Sequence, residues 1–108
     1  MPHYLFQISY TGEAWATQIR NPQNRVEVVR PVVESLGGSI ETAYLAFGDQ
    51  DVVLICEFPD NVSAGAFSLA AAAGGAIKAV KTTPLMTVEE GMEMMRKAGG
   101  AGYRPPGG

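Results

Sequence analysis

Hydrophobic positions along the chain follow two periods, one of two residues and one of three to four. From His3 to Tyr10 they alternate, with Tyr4, Phe6, Ile8 and Tyr10 on one face and His3, Leu5, Gln7 and Ser9 on the other. Such alternation in a run rich in aromatic and β-branched residues predicts a strand. Thr11-Gly12 closes it, and Glu13 to Arg20 fits a short helix with Trp15 and Ile19 one turn apart. Asn21-Pro22 reads as the next helix start, with Asn as N-cap and Pro at the first helical position. Val26, Val29, Val33 and Leu36 form its apolar stripe, Pro31 bends it, and Gly37-Gly38 caps it.

Two β-rich runs, Ser39 to Phe47 and Asp51 to Phe58, flank the turn Gly48-Asp49-Gln50-Asp51 and predict a hairpin. In the second run Val52-Val53-Leu54-Ile55-Cys56 is unbroken apolar chain, so this strand needs cover on both faces. Pro59 ends the ladder and Asp60 caps a helix to about Ala73, with Val62, Ala66, Leu69 and Ala73 on one side. Gly74-Gly75 stops that helix, and Ala76 to Leu85 is the last strand, carrying Lys78 and Lys81. Thr87-Val88-Glu89-Glu90 is a capping-box pattern that opens a further helix, with Met92 and Met95 on its packing side. Residues 1–98 make one domain; residues 99–108, rich in Gly and Pro, read as a flexible tail.

The order β-α-β-β-α-β plus a terminal helix predicts an α+β, ferredoxin-like fold: a four-stranded antiparallel sheet with helices on one face. Leu5 and the third strand then leave apolar side chains on the opposite face. The expected cover is an identical sheet in a two-fold homodimer or higher homo-oligomer. Composition points the same way. Charged residues are 18% of the chain against a usual quarter, as if part of the nominal surface were hidden in an interface. The net charge of −3, without a Lys/Arg cluster, makes nucleic acid and anionic membranes poor partners. The single cysteine, Cys56, cannot form an internal disulfide, no secretory leader is visible at Met1 to Phe6, and no run is long enough to span a bilayer. A cytoplasmic protein is expected.

Candidate chemistry is sparse. One histidine and one cysteine cannot build a usual protein-only zinc site, so neither a metal nor a cofactor is expected. If the first and third strands pair antiparallel, His3, Gln7, Asp51 and Glu57 share the non-helical face. There His3 with Asp51 or Glu57 could make a mixed site or a base with its orienting carboxylate, or His3 could simply be a rim residue. Glu57, closing an apolar strand, either reaches water, faces a cavity, or pairs with Lys78 or Lys81, the pairing being the ordinary solution. Asp51 fits a turn residue capping nearby backbone amides. Tyr10, Trp15 and Tyr44 could line an apolar pocket and offer polar tips, or be plain core. Cys56 reads as a buried small hydrophobe. The candidate ligand-binding set is therefore His3, Gln7, Tyr44, Asp51, Glu57 and Lys81.

The chain resembles the GYD-domain proteins. The resemblance is carried by Asn21-Pro22-Gln23-Asn24-Arg25, Leu36-Gly37-Gly38, Phe47-Gly48, Asp51-Val52-Val53, Glu57 and Pro59-Asp60. The Ala-rich second helix, Gly74-Gly75 and Thr82-Thr83-Pro84-Leu85 fit a subgroup of small bacterial members. Gln50 stands where the family has its name-giving tyrosine. The resemblance implies a ferredoxin-like fold of the dimeric α/β-barrel kind, and it brings no catalytic residues. Three functions are compatible with all this: a homo-oligomeric domain binding a small, mostly apolar molecule in a pocket between packed sheets or between sheet and helices; a cofactor-independent monooxygenase- or isomerase-like enzyme using the same pocket; or a structural or regulatory module.

Overall fold

The alternation of Tyr4, Phe6 and Ile8 does become a strand, because one face of it has a helical layer to bury those side chains against. In the computed structural model, which describes residues 1–107, β1 spans His3–Tyr10, α1 Gly12–Arg20, α2 Arg25–Ser35, β2 Ser39–Leu45 and β3 Val52–Glu57. They are followed by α3 Asn61–Ala73, β4 Ile77–Leu85 and α4 Val88–Gly99. The four strands form one antiparallel sheet in the order β2-β3-β1-β4, the ferredoxin-like arrangement. His3 lies opposite Glu57, and Leu5 opposite Ile55, in the β1–β3 register.

Local chemistry accounts for the element ends, with one correction. Asn21 does not start α2; it closes α1, its N–H donating to the Thr17 carbonyl. The N-cap is Asn24, whose side chain accepts from the Glu27 N–H. Asn24 has the acidic residue three positions on that a helix start favours, whereas Asn21-Pro22-Gln23 serves as the link between two helices. At the other end Gly37 takes a φ of +83°, and the Gly37 and Gly38 N–H groups return to the Glu34 and Val33 carbonyls. That is a Schellman cap. A β-carbon on Gly38 would lie 2.5 Å from the Glu57 carbonyl oxygen and 2.7 Å from a Phe58 ring carbon, so this corner admits only glycine.

Phe6, Phe58 and Phe67 form the centre of the core, with Tyr4, Ile8, Val33, Val52, Leu54, Cys56 and Ala64 around them. Phe6 meets Phe67 edge-on at 5.1 Å between ring centroids and meets Phe58 edge-on at 5.9 Å. Burying a phenylalanine contributes about 1.5–3 kcal/mol, and such edge contacts add about 0.5–1.5 kcal/mol each. The buried side of α3 is Ala64 and Phe67, which reverses the expectation for this helix: Val62 and Leu69 face outward, 82% and 74% exposed. One phenylalanine outweighs a stripe of alanines in deciding which side goes down.

Among the described residues no helix buries the second face of the sheet. Leu5, Val53 and Ile55 are half-buried there, and Tyr44 is 69% exposed. Helix α4 has its capping box at Thr87 and Glu90, yet buries none of its residues, Met92 and Met95 included. Its expected packing side therefore has no partner within this chain. The extents of 59 × 33 × 22 Å and a radius of gyration of 17.4 Å, against about 13 Å for a compact chain of this size, reflect that outlying helix and tail. Among the described residues no helix is long and apolar enough to cross a membrane.

Candidate functional site

Helix α2 lies over β2 and α3 lies over β4, so the two helices diverge above the central strands. The space between them is a cavity of about 530 Å³, within the size range of small-molecule sites. Ile8, Val52 and Leu54 form its floor, Val26 and Val29 of α2 one wall, and Phe67 and Ala71 of α3 the other. The valine stripe that directs α2 onto the sheet and the alanines that keep α3 slim thus shape an apolar interior. Tyr10 and Trp15 also line it, the pocket role the sequence left open for them, together with Gln18, Gln23, Asn24 and Arg25. Arg25 is the one charged side chain in the lining.

Asp51 holds that lining in place. Its Oδ2 accepts from the Tyr10 backbone N–H at 2.9 Å and from the Trp15 indole Nε1–H at 3.2 Å. The Trp15 ring then stands edge-on to Tyr10 at 5.3 Å. Asp51 thus caps a backbone amide as expected, but one on β1, far along the chain, and it also fixes an aromatic wall. Burial pushes the Tyr10 phenol above its ordinary value of 10.0, with Arg25 beside it pulling down and Asp51 adding to the rise. At neutral pH the phenol is therefore a hydrogen-bond donor and not a base. Gln50 accepts at 3.4 Å from the Ser9 hydroxyl.

The remaining predicted residues lie on the other face of the sheet and divide into two groups. His3 and Glu57 do meet: His3 Nε2 is 3.5 Å from Glu57 Oε1, while His3 Nδ1 is 2.9 Å from Glu41 Oε2. Glu41 sits at a bulge in β2, which aims its side chain across β3. The expected partner of Glu57 was a lysine of β4; it is His3. Strand order and register explain the change: β1 lies between β3 and β4, and the β4 residue level with Glu57 is Leu85, with Lys81 and Lys78 further along that strand. Gln7 stands opposite Lys81 on one side and Val53 on the other, and Val53 stands opposite Tyr44, so Tyr44, Gln7 and Lys81 share one row across the sheet. Asp51 belongs to neither group: it lies at the opposite end of β3 from Glu57. Among the described residues no group of three or more His, Cys, Asp or Glu is arranged to hold a metal. Cys56 is fully buried, and burial pushes its thiol up to about 11, which leaves it unreactive.

Arg25, Gln18, Asn24 and the wall residues Val29 and Ala71 escaped the sequence-based selection. A signal for Arg25 was present: it opens α2, where the helix dipole disfavours a cation, so its position needs a reason outside the helix. No curated protein matches the chain. The GYD domain model matches residues 4–95, which runs from the first core tyrosine through most of α4. With that match covering most of its length, and the ferredoxin-like sheet in place, the chain belongs to the GYD-domain family.

Proposed function

We propose that this protein is a homo-oligomeric binding domain that holds a small, mostly apolar molecule in the cavity between α2 and α3. The observation carrying this reading is the cavity itself: about 530 Å³ of space walled by aliphatic and aromatic side chains, with polar groups gathered beside Tyr10 and Arg25. A monomeric core of this size normally closes such a space by collapsing side chains into it. Here Asp51, by fixing Trp15, holds one wall away from the others. A ligand burying apolar surface there gains about 25 cal/mol per Å² removed from water. The second half of the reading is assembly. Leu5, Val53 and Ile55 on the uncovered sheet face, and the outward Val88, Met92 and Met95 of α4, favour a second copy as cover.

Trp15, the only tryptophan, lines the cavity and reports on its occupancy. Titration with a neutral alkanol such as decanol is expected to shift Trp15 emission saturably in the wild type. In an Ala71→Leu, Val29→Phe variant, whose added atoms fill the space, the response is lost while the circular dichroism spectrum stays native. An unsaturable response, or equal binding by the filled variant, refutes the cavity as the site. Light scattering tests assembly separately: a mass of 11.4 kDa at micromolar concentration refutes it.

A further inference from the structure

The polar end of the cavity carries an inference about ligand class, resting on the binding reading above. Arg25 is the single charged residue among those lining the space, and it lacks a carboxylate partner. Arg30 and Arg96 each pair with a glutamate one turn earlier at 3.1 Å, while Arg20 and Arg104, which have no ion pair among the described residues, are exposed to water; Arg25 is the one without an ion pair that is half-buried. Among the described residues Arg25 has no such ion pair, and its recorded side-chain bond is a long one, Nη1 to Gln23 Oε1 at 3.3 Å. The acids nearby are engaged elsewhere. Glu27 is held by Arg30 through both its carboxylate oxygens. Asp51 Oδ2 is occupied by Tyr10 and Trp15 and does not line the cavity.

A guanidinium has five N–H donors in a planar fork, and those of Arg25 meet neutral oxygens, Gln23 Oε1 and the Tyr10 hydroxyl, with no carboxylate among them. It is half-buried at the edge of an apolar space, beside a phenol that stays neutral at pH 7 and so brings no counter-charge. Its place in the first turn of α2 gives it no compensation from the helix, because that end is already positive. Each of these features is unfavourable alone and is answered by one occupant, an anion seated against the fork.

We infer that the cavity's ligands are amphipathic carboxylates, with an apolar body between α2 and α3 and a carboxylate head on Arg25. A carboxylate matches the guanidinium fork bidentately and cancels its single charge. The Tyr10 hydroxyl and the Gln18 amide lie in the same lining as further donors. Organic cations are excluded by like charge, and a neutral ligand leaves the fork unsatisfied.

Decanoate, decanol and decyltrimethylammonium, each below its micellar concentration at neutral pH, share a chain and differ in the head. Trp15 fluorescence, checked by calorimetry, is expected to show decanoate binding about ten- to a hundredfold more tightly than decanol, the worth of a charge-assisted pair. Decyltrimethylammonium is expected to bind more weakly than either. Arg25→Gln should weaken decanoate at least tenfold more than it weakens decanol and so abolish the preference, and Arg25→Lys should keep part of it. Decanol binding as tightly as decanoate in the wild type, or a preference that survives Arg25→Gln, overturns the inference while leaving the cavity intact as a binding site. Failure of both decanol and decanoate to bind refutes the cavity reading and the inference together.

Discussion

Gly38 is the position where a single methyl group should cost most per atom added. It sits between the cap of α2 and the first pairing of β2, with its α-carbon pressed onto the end of β3. Adding a β-carbon there places it 2.5 Å from the Glu57 carbonyl oxygen, 2.7 Å from Phe58 Cδ1 and 2.8 Å from Phe58 Cε1. Ordinary contact needs about 3.4 Å or more, so something must move by roughly 0.7–0.9 Å. Neither neighbour is free to do so. One is backbone paired into the sheet, and the other is a ring with no exposed surface, packed against Phe6, Phe67 and Tyr4. Overpacking of this kind costs about 1–3 kcal/mol, a sizeable part of a typical domain's 5–15 kcal/mol. With a urea slope of about 1–3 kcal/mol per molar, Gly38→Ala should lower the unfolding midpoint by about 1 M, read by Trp15 fluorescence and by circular dichroism together. Gly65→Ala is the control, since a β-carbon in that helix interior meets nothing within 4 Å. It should raise stability by about 0.5–1 kcal/mol through helix propensity alone. A Gly38→Ala midpoint equal to or above the wild type refutes the packing argument.

Removing the Asp51 side chain leaves the Tyr10 N–H and the Trp15 indole N–H without their acceptor, so Asp51→Ala should destabilise by about 1–3 kcal/mol. It should also red-shift Trp15 emission, and unchanged emission counts against Asp51 as the positioner of that wall. The Asp60 carboxyl, capping α3, lies below its ordinary value of 3.8 because it accepts from the Ser63 backbone N–H. A depressed acid contributes stability that is complete above the unfolded value and is lost as pH falls through the folded one. The wild type should therefore lose cap stabilisation below about pH 4, whereas Asp60→Asn, still a cap, should show a flatter acid limb; superimposable acid limbs contradict this. Cys56, with its thiol near 11 and no exposure, should resist iodoacetamide at pH 8 in the native protein and react fully in denaturant. Rapid native labelling would place it at an accessible surface instead.

The alternation in β1, the unbroken apolar run of β3 and the strong caps at Asp60 and Thr87 carry the fold on their own, because each is a local preference that the tertiary structure reinforces. The same residues place Leu5, Val53 and Ile55 on the second sheet face, where they are half-buried. The sequence offered Asn21 as the start of α2; the cap is instead Asn24, with Glu27 three residues on, and that outcome depends on how the two helices are joined. The side of α3 that is buried was decided by the fit of Phe67 against Phe6 and Phe58, which no periodicity of alanines conveys. The site was the least legible part. Ion pairing across the sheet depends on strand order, so the sequence by itself suggested a lysine for Glu57, and the insertion of β1 gave it His3. The cavity exists only because α2 and α3 settle over the outer strands, and its wall draws on residues from Ile8 to Ile77. The sequence determined which faces would be apolar; only the tertiary structure decided that two of those faces would stand apart, with one arginine at the edge of the gap.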